Sequence, residues 1–136
     1  MNIDWMHSLP ILGRFFVGFY FAGFGLWNIY HWRPFTRVLI EKNIPLPFVV
    51  LPLGIFWQMA AGTMIMFDSY VKGASLSLII FTVISITIFH DFWNHAGEVR
   101  RLNLNLYLAN LTISVGALLL LLNNISPLQS LAEFST

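Results

Sequence analysis

The chain has 136 residues, a net charge of +1, 57% hydrophobic residues, only 10% charged residues and no cysteine. Soluble domains carry about 25% charged residues, so this chain has too little charge to solvate a water-facing surface, and it lacks the basic excess that a nucleic-acid footprint requires. Without cysteine it can form no disulfide, no thiolate-held iron–sulfur cluster and no thiol nucleophile, and any redox centre must be borrowed.

Four apolar stretches, 9–30, 48–67, 74–92 and 104–122, dominate the chain. Each is about 19 to 22 residues long, which at about 1.5 Å per helical residue matches a hydrocarbon core of roughly 30 Å. They predict an all-α integral membrane four-helix bundle of antiparallel up-down topology. Residues 1–136 form one domain with the lipid bilayer as its partner, and no room is left for a separate soluble domain.

The first stretch is read as an uncleaved helix. Residues 1–8 have no Lys or Arg, and the bulk of Phe15, Phe16, Phe19, Tyr20 and Phe21 replaces a small-residue cleavage site. Arg14 lies inside this stretch and either snorkels to the headgroups or turns inward to pair with Asp68 or with acceptors such as Asn123. Gly18, Phe21 and Gly25 share one of its faces. The following connection, 31–47, carries Arg33, Arg37, Glu41 and Lys42 and closes with Asn43-Ile44-Pro45-Leu46-Pro47. Phe35, Val38 and Leu39 at i, i+3, i+4 predict a short amphipathic helix on the membrane surface, after which the prolines impose an extended entry into the second stretch.

Gly54, Gln58 and Gly62 recur every four residues in the second stretch, a spacing that lets helix backbones approach while Gln58 bonds across the contact. A tight turn at 68–73 leads to the third stretch, where Thr82 and Ser85 are read as packing groups. That stretch ends in His90-Asp91-Phe92-Trp93-Asn94-His95, the densest polar cluster in the chain. Continued as helix, it would pair Asp91 with His95 and His90 with Asn94 at i, i+4. His90 and Asp91 are the catalytic candidates, because a carboxylate can fix an imidazole tautomer and the pair can pass a proton. The competing reading is a polar helix end that satisfies its own orphan carbonyls. Two ligands on one face do not make a metal set, and no metal is predicted. In the fourth stretch Asn103, Tyr107, Asn110 and Ser114 recur at i, i+4, i+7, i+11, a stripe that must face protein. Beyond Leu122 the tail turns polar at Asn123 and Asn124 and meets Pro127, which predicts fraying or an interfacial course.

Arg14, Gln58 and Ser114 are thus intramembrane structural polar residues. By depth, Asn28, His31, His90, Asp91, Asn103, Tyr107 and Asn110 fall near one end and form a candidate ligand pocket. Phe24, Trp27, Phe89, Phe92 and Trp93 are its candidate walls, which suits a flat hydrophobic ligand such as a quinone. Ile86, His90 and Trp93 match loose quinone-site patterns. Arg33, Arg37, Lys42, Arg100 and Arg101 lie on one side, against Arg14 and Lys72 on the other. The positive-inside rule therefore puts the 1–2 and 3–4 loops in the cytoplasm and both termini outside. Trp5, Trp27, Trp32 and Trp93 fall near span ends, the headgroup level that such rings favour, whereas Trp57 lies well inside its span.

The chain resembles the DoxX-like family of small four-helix membrane proteins along nearly its whole length. The resemblance rests on Leu12-Gly13-Arg14-Phe15-Phe16-Val17-Gly18, Gly25-Leu26-Trp27-Asn28, Asn43-Ile44-Pro45-Leu46-Pro47, Phe89-His90-Asp91-Phe92-Trp93, and Tyr107-Leu108-Ala109-Asn110-Leu111 with Gly116. Similar proteins often have Lys at the place of Asn28 and Glu at that of Gln58. The resemblance implies an inner-membrane subunit of a quinone-linked oxidoreductase complex, with no complete catalytic apparatus and no covalently bound cofactor, quinone being the cofactor implied. Its partners would be a soluble or membrane oxidoreductase subunit or a second copy of the chain. The alternatives are a small transporter or channel lined by Arg14, Gln58, Asp91 and Asn110, and a membrane chaperone or assembly factor.

Overall fold

The structure is a computed structural model that describes residues 4–123, the side chains of residues 4 and 5 excepted. The expected interfacial place of Trp5 and the polar tail from residue 124 onward lie outside the described residues. Six helices follow one another: α1 (Asp4–Tyr30), α2 (Trp32–Glu41), α3 (Pro47–Met66), α4 (Val71–Phe89), α5 (Gly97–Ala109) and α6 (Gly116–Leu122). One 3₁₀ turn, Phe92–Asn94, separates α4 from α5, and a π-helical segment, Asn110–Val115, joins α5 to α6. No strand occurs among the described residues. Four segments are long and apolar enough to cross a membrane, namely Met6–Tyr30, Pro47–Met66, Val71–Asn94 and Gly97–Leu122.

The helices largely follow the apolar stretches, but their ends obey hydrogen bonding rather than hydropathy. α5 starts at Gly97, ahead of the apolar run, because a helix needs only backbone partners and its first-turn Glu98 complements the positive end of the dipole. Gly97 has φ 64, a conformation that costs glycine nothing. α4 stops at Phe89, so 90–95 is not the continued helix expected from the spacing. There the backbone closes a 3₁₀ turn instead, the Asn94 N–H donating to the Asp91 carbonyl at 3.0 Å while the two side chains bond each other at 2.9 Å.

Two helices end in the same left-handed device. After α2, Asn43 (φ 56) donates its N–H to the Ile40 carbonyl and Ile44 donates to that of Leu39. After α3, Asp68 (φ 57) donates to Ile65 and Ser69 to Met64. Both are Schellman closures, with Asn and Asp filling a position usually held by glycine. Leu46 then opens α3 with Pro47 at its first turn, where a missing N–H costs nothing.

α1 and α3 form the tightest pair. A Cβ on Gly18 would stand 2.5 Å from the Gly62 carbonyl oxygen and 2.6 Å from the Met66 nitrogen, and one on Gly62 would stand 2.7 Å from the Ala22 nitrogen. Of the glycines singled out by spacing, Gly18 and Gly62 thus put backbone against backbone, whereas Gly25 faces the Met59 side chain and Gly54 that of Phe81. Residue numbers rise along α1 as they fall along α3. Phe21 enters a buried cluster with Ala61, Ile65, Ala74, Leu78, Leu118 and Leu121, which links α1, α3, α4 and α6. A second cluster seats α2: Leu39 packs with Leu51 and Ile55, flanked by Trp32, Phe35, Ile88 and Phe89. The apolar face expected of α2 is therefore its docking face.

Replacing Gly18 by Val should lower the melting temperature in detergent by the equivalent of about 1–3 kcal/mol, the cost of overpacking. Gly23→Ala, whose new Cβ would meet nothing within 4 Å, should leave it unchanged or raise it.

Candidate functional site

The polar residues near one end of the chain sort into separate groups, each held by a different element. The largest centres on Asp91, which is only 7% exposed although it sits at a helix end. Lys42, the C-cap of α2, reaches its Oδ2 with Nζ at 2.7 Å. Asn94 donates Nδ2 to the same oxygen at 2.9 Å, and His95 donates Nε2 to Oδ1 at 3.2 Å. The Schellman closure explains why Lys42 is in place: Asn43 turns the chain sharply, fixing the backbone one residue away, while Leu39 anchors α2 below. Both carboxylate oxygens are engaged, one of them by a cation, so Asp91 is tied as an electrostatic anchor. The same carboxylate orients the His95 ring. The Asp91–His95 contact expected from i, i+4 spacing thus forms, but across a 3₁₀ turn. Asn94 goes to Asp91 instead of His90.

His90 pairs with the start of the next helix. Its Nδ1 donates to Asn103 Oδ1 at 3.4 Å, and Asn103 donates Nδ2 to the Val99 carbonyl at 3.0 Å. That leaves His90 Nε2 as an acceptor. Tyr107, one turn further along α5, stands edge-on to Phe92 at 5.4 Å and to Trp93 at 6.1 Å between ring centroids. Asn110 closes its bond locally, to the Leu106 carbonyl at 2.8 Å, where the π segment begins. Asn103, Tyr107, Asn110 and Ser114 are all partly buried, whereas Leu106, Leu111 and Ile113 beside them are exposed, so the stripe faces protein as its spacing requires.

Asn28 and His31 take other partners. Asn28 donates Nδ2 to Gln58 Oε1 at 3.0 Å, a direct bond between α1 and α3. His31 donates Nδ1 to the Trp27 carbonyl at 3.0 Å and stacks on the Trp27 ring at 4.2 Å. Trp27 and His31 line an open groove of about 370 Å³ with Gly23, Leu26 and Tyr30. A second groove, of about 390 Å³, runs along α2. Neither includes His90, Asp91, Asn103, Tyr107 or Asn110.

At the opposite end Arg14 turns inward, its Nη1 lying 3.6 Å from Asp68 Oδ1, the inward arrangement considered for it from sequence. Arg14 Nε and the hydroxyls of Ser75 and Thr82 are buried with no hydrogen-bond partner among the described residues. Ser75 was not singled out by any spacing. No group of three or more His, Cys, Asp or Glu among the described residues is gathered to hold a metal ion. Sequence reasoning also passed over Lys42. Its signal was available, since Lys42 and Asp91 fall on the same side of the predicted bundle with opposite charge. No family model, curated protein or solved structure matches the chain.

Lys42→Met strands a buried carboxylate and should cost about 2 kcal/mol in thermal unfolding. The double variant Lys42→Met/Asp91→Leu should recover most of that loss, and a strictly additive cycle would show that the pair does not hold α2 to the end of α4.

Proposed function

We propose that the chain is a multi-pass inner-membrane protein whose four apolar segments cross the bilayer in antiparallel up-down order, and that it is a membrane subunit of a quinone-linked redox complex rather than a catalyst by itself. The single observation that carries the membrane part is the outward apolar surface. Only 17% to 33% of the residues in each apolar window are buried within the bundle. Phe16, Phe19, Phe24, Leu53, Phe56, Ile84 and Leu120 face away from it, at a density that water does not tolerate over whole helices. The inner membrane and the orientation, with both termini outside, are supported by the excess of Arg and Lys in the 1–2 and 3–4 loops.

The redox-subunit reading is supported by the ordered motifs of the DoxX-like resemblance and by the groove on α1. A flat apolar ring system fits against Trp27, and His31, with Nδ1 committed to a carbonyl, offers Nε2 to a quinol hydroxyl. His90 and Asp91, the catalytic candidates, both spend a ligating atom on a protein partner, which favours a holding role for them over turnover.

Cysteines introduced at Ser8 and Ala96 should react with an impermeant maleimide from opposite faces of the membrane, Ala96→Cys from the cytoplasmic face. A short-chain quinone should quench tryptophan fluorescence saturably, with His31→Ala weakening the apparent affinity by roughly tenfold, the worth of one lost hydrogen bond. Linear, unsaturable quenching would remove the quinone from the proposal.

A further inference from the structure

The groove along α2 is lined by Trp32, Arg33, Thr36, Arg37, Ile40, Glu41 and Phe48. Arg33 and Arg37 are exposed, stand four residues apart on one helical face, and have neither an ion pair nor a hydrogen bond among the described residues. That contrasts with Lys42 at the end of the same helix, which is consumed by Asp91. Beside the two guanidinium groups the surface is apolar: Ile40 is 52% and Phe48 66% exposed, and Trp32 is half-buried below them. Thr36 is buried and already donates to the Trp32 carbonyl at 2.8 Å, so it offers the groove no free donor.

We propose that this groove binds one anionic phospholipid, its phosphate held by Arg33 and Arg37 and an acyl chain laid over Ile40 and Phe48. Charge complementarity selects the headgroup, because two unpaired guanidinium groups four residues apart on one helix suit a phosphate. The apolar half selects a lipid over a free anion, since inorganic phosphate would leave Ile40 and Phe48 in water. Glu41 lies at the far end of the groove and opposes negative charge there, which places the phosphate toward Arg33. The site rests on the membrane reading above, in which α2 lies at the headgroup level. An occupied site would also cover the outer face of the helix that carries Lys42 to Asp91.

Native mass spectrometry of the full chain, released from mild detergent after titration with phosphatidylglycerol or phosphatidylcholine, tests this. The wild-type chain should retain one phosphatidylglycerol in preference to phosphatidylcholine. Arg33→Gln/Arg37→Gln should weaken phosphatidylglycerol binding by roughly thirtyfold, and Arg33→Gln alone by roughly fivefold. Arg100→Gln/Arg101→Gln removes the same charge from α5 on the same side and should bind as wild type does. Equal loss in both double variants, undiminished binding by the first, or equal retention of the two lipids would overturn the site. Displacement of the lipid by millimolar inorganic phosphate, or by an acidic peptide, would overturn the choice of occupant. Carbonate extraction separates the two levels: the α2 double variant should stay in the membrane pellet, and a wild-type chain that leaves the pellet refutes the membrane reading rather than the lipid site.

Discussion

Backbone contact between α1 and α3 at Gly18 and Gly62 sets the register from which the other long-range polar contacts of this pair follow. With no side chain between them the two helices meet along their length, and their relative position can shift only by driving a Cβ-bearing residue into a carbonyl. In that register Arg14 comes level with Asp68 and Asn28 with Gln58. A one-turn slip of about 5.4 Å would separate both pairs. Packing without side chains therefore decides which hydrogen-bonding groups become partners.

Polarity is distributed unevenly between the two ends. Among the described residues one end carries the partly exposed Arg14–Asp68 contact, whereas the other gathers Lys42, Asp91, Asn94 and His95 around one carboxylate and adds the His90–Asn103 bond. The end of α2 meets there, across a long stretch of sequence, the end of α4 and the start of α5 that follows it. Buried charge of this kind gives little net stability compared with a hydrophobic replacement, but it is costly to leave half-formed, so it specifies one arrangement of those segments. The same logic explains why α2 is a helix at all. At ten residues it is too short to hold in isolation, and it stands because Leu39 is buried against α3 and Lys42 is paired.

This division of labour bears on function. The side chains with chemical capacity at the crowded end are committed to holding loops, whereas Arg33 and Arg37 stand exposed along α2 without an ion pair or hydrogen bond among the described residues. The outward apolar surface suits lipid, and the interior serves to keep that surface in place. The neutral Asn28–Gln58 pair fits that picture, since it fastens two helices without placing a titrating group between them.

Local periodicity and composition were enough to establish the four apolar helices, the amphipathic α2 with Leu39 inward, the backbone approach at Gly18 and Gly62, and the protein-facing stripe from Asn103 to Ser114. Each of these follows from the 3.6-residue repeat and from the length of an apolar run, which are properties of neighbouring residues. The inward Arg14–Asp68 contact was open to the same reasoning because both residues lie near the same end of adjacent helices. The capture of Asp91 by Lys42 and the different partners taken by His31 and His90 were decided by tertiary structure. Those outcomes depend on the angle at which α2 leaves its Schellman turn and on which carboxylate it then meets, and partner choice between segments far apart in the chain leaves no trace in the spacing of either one.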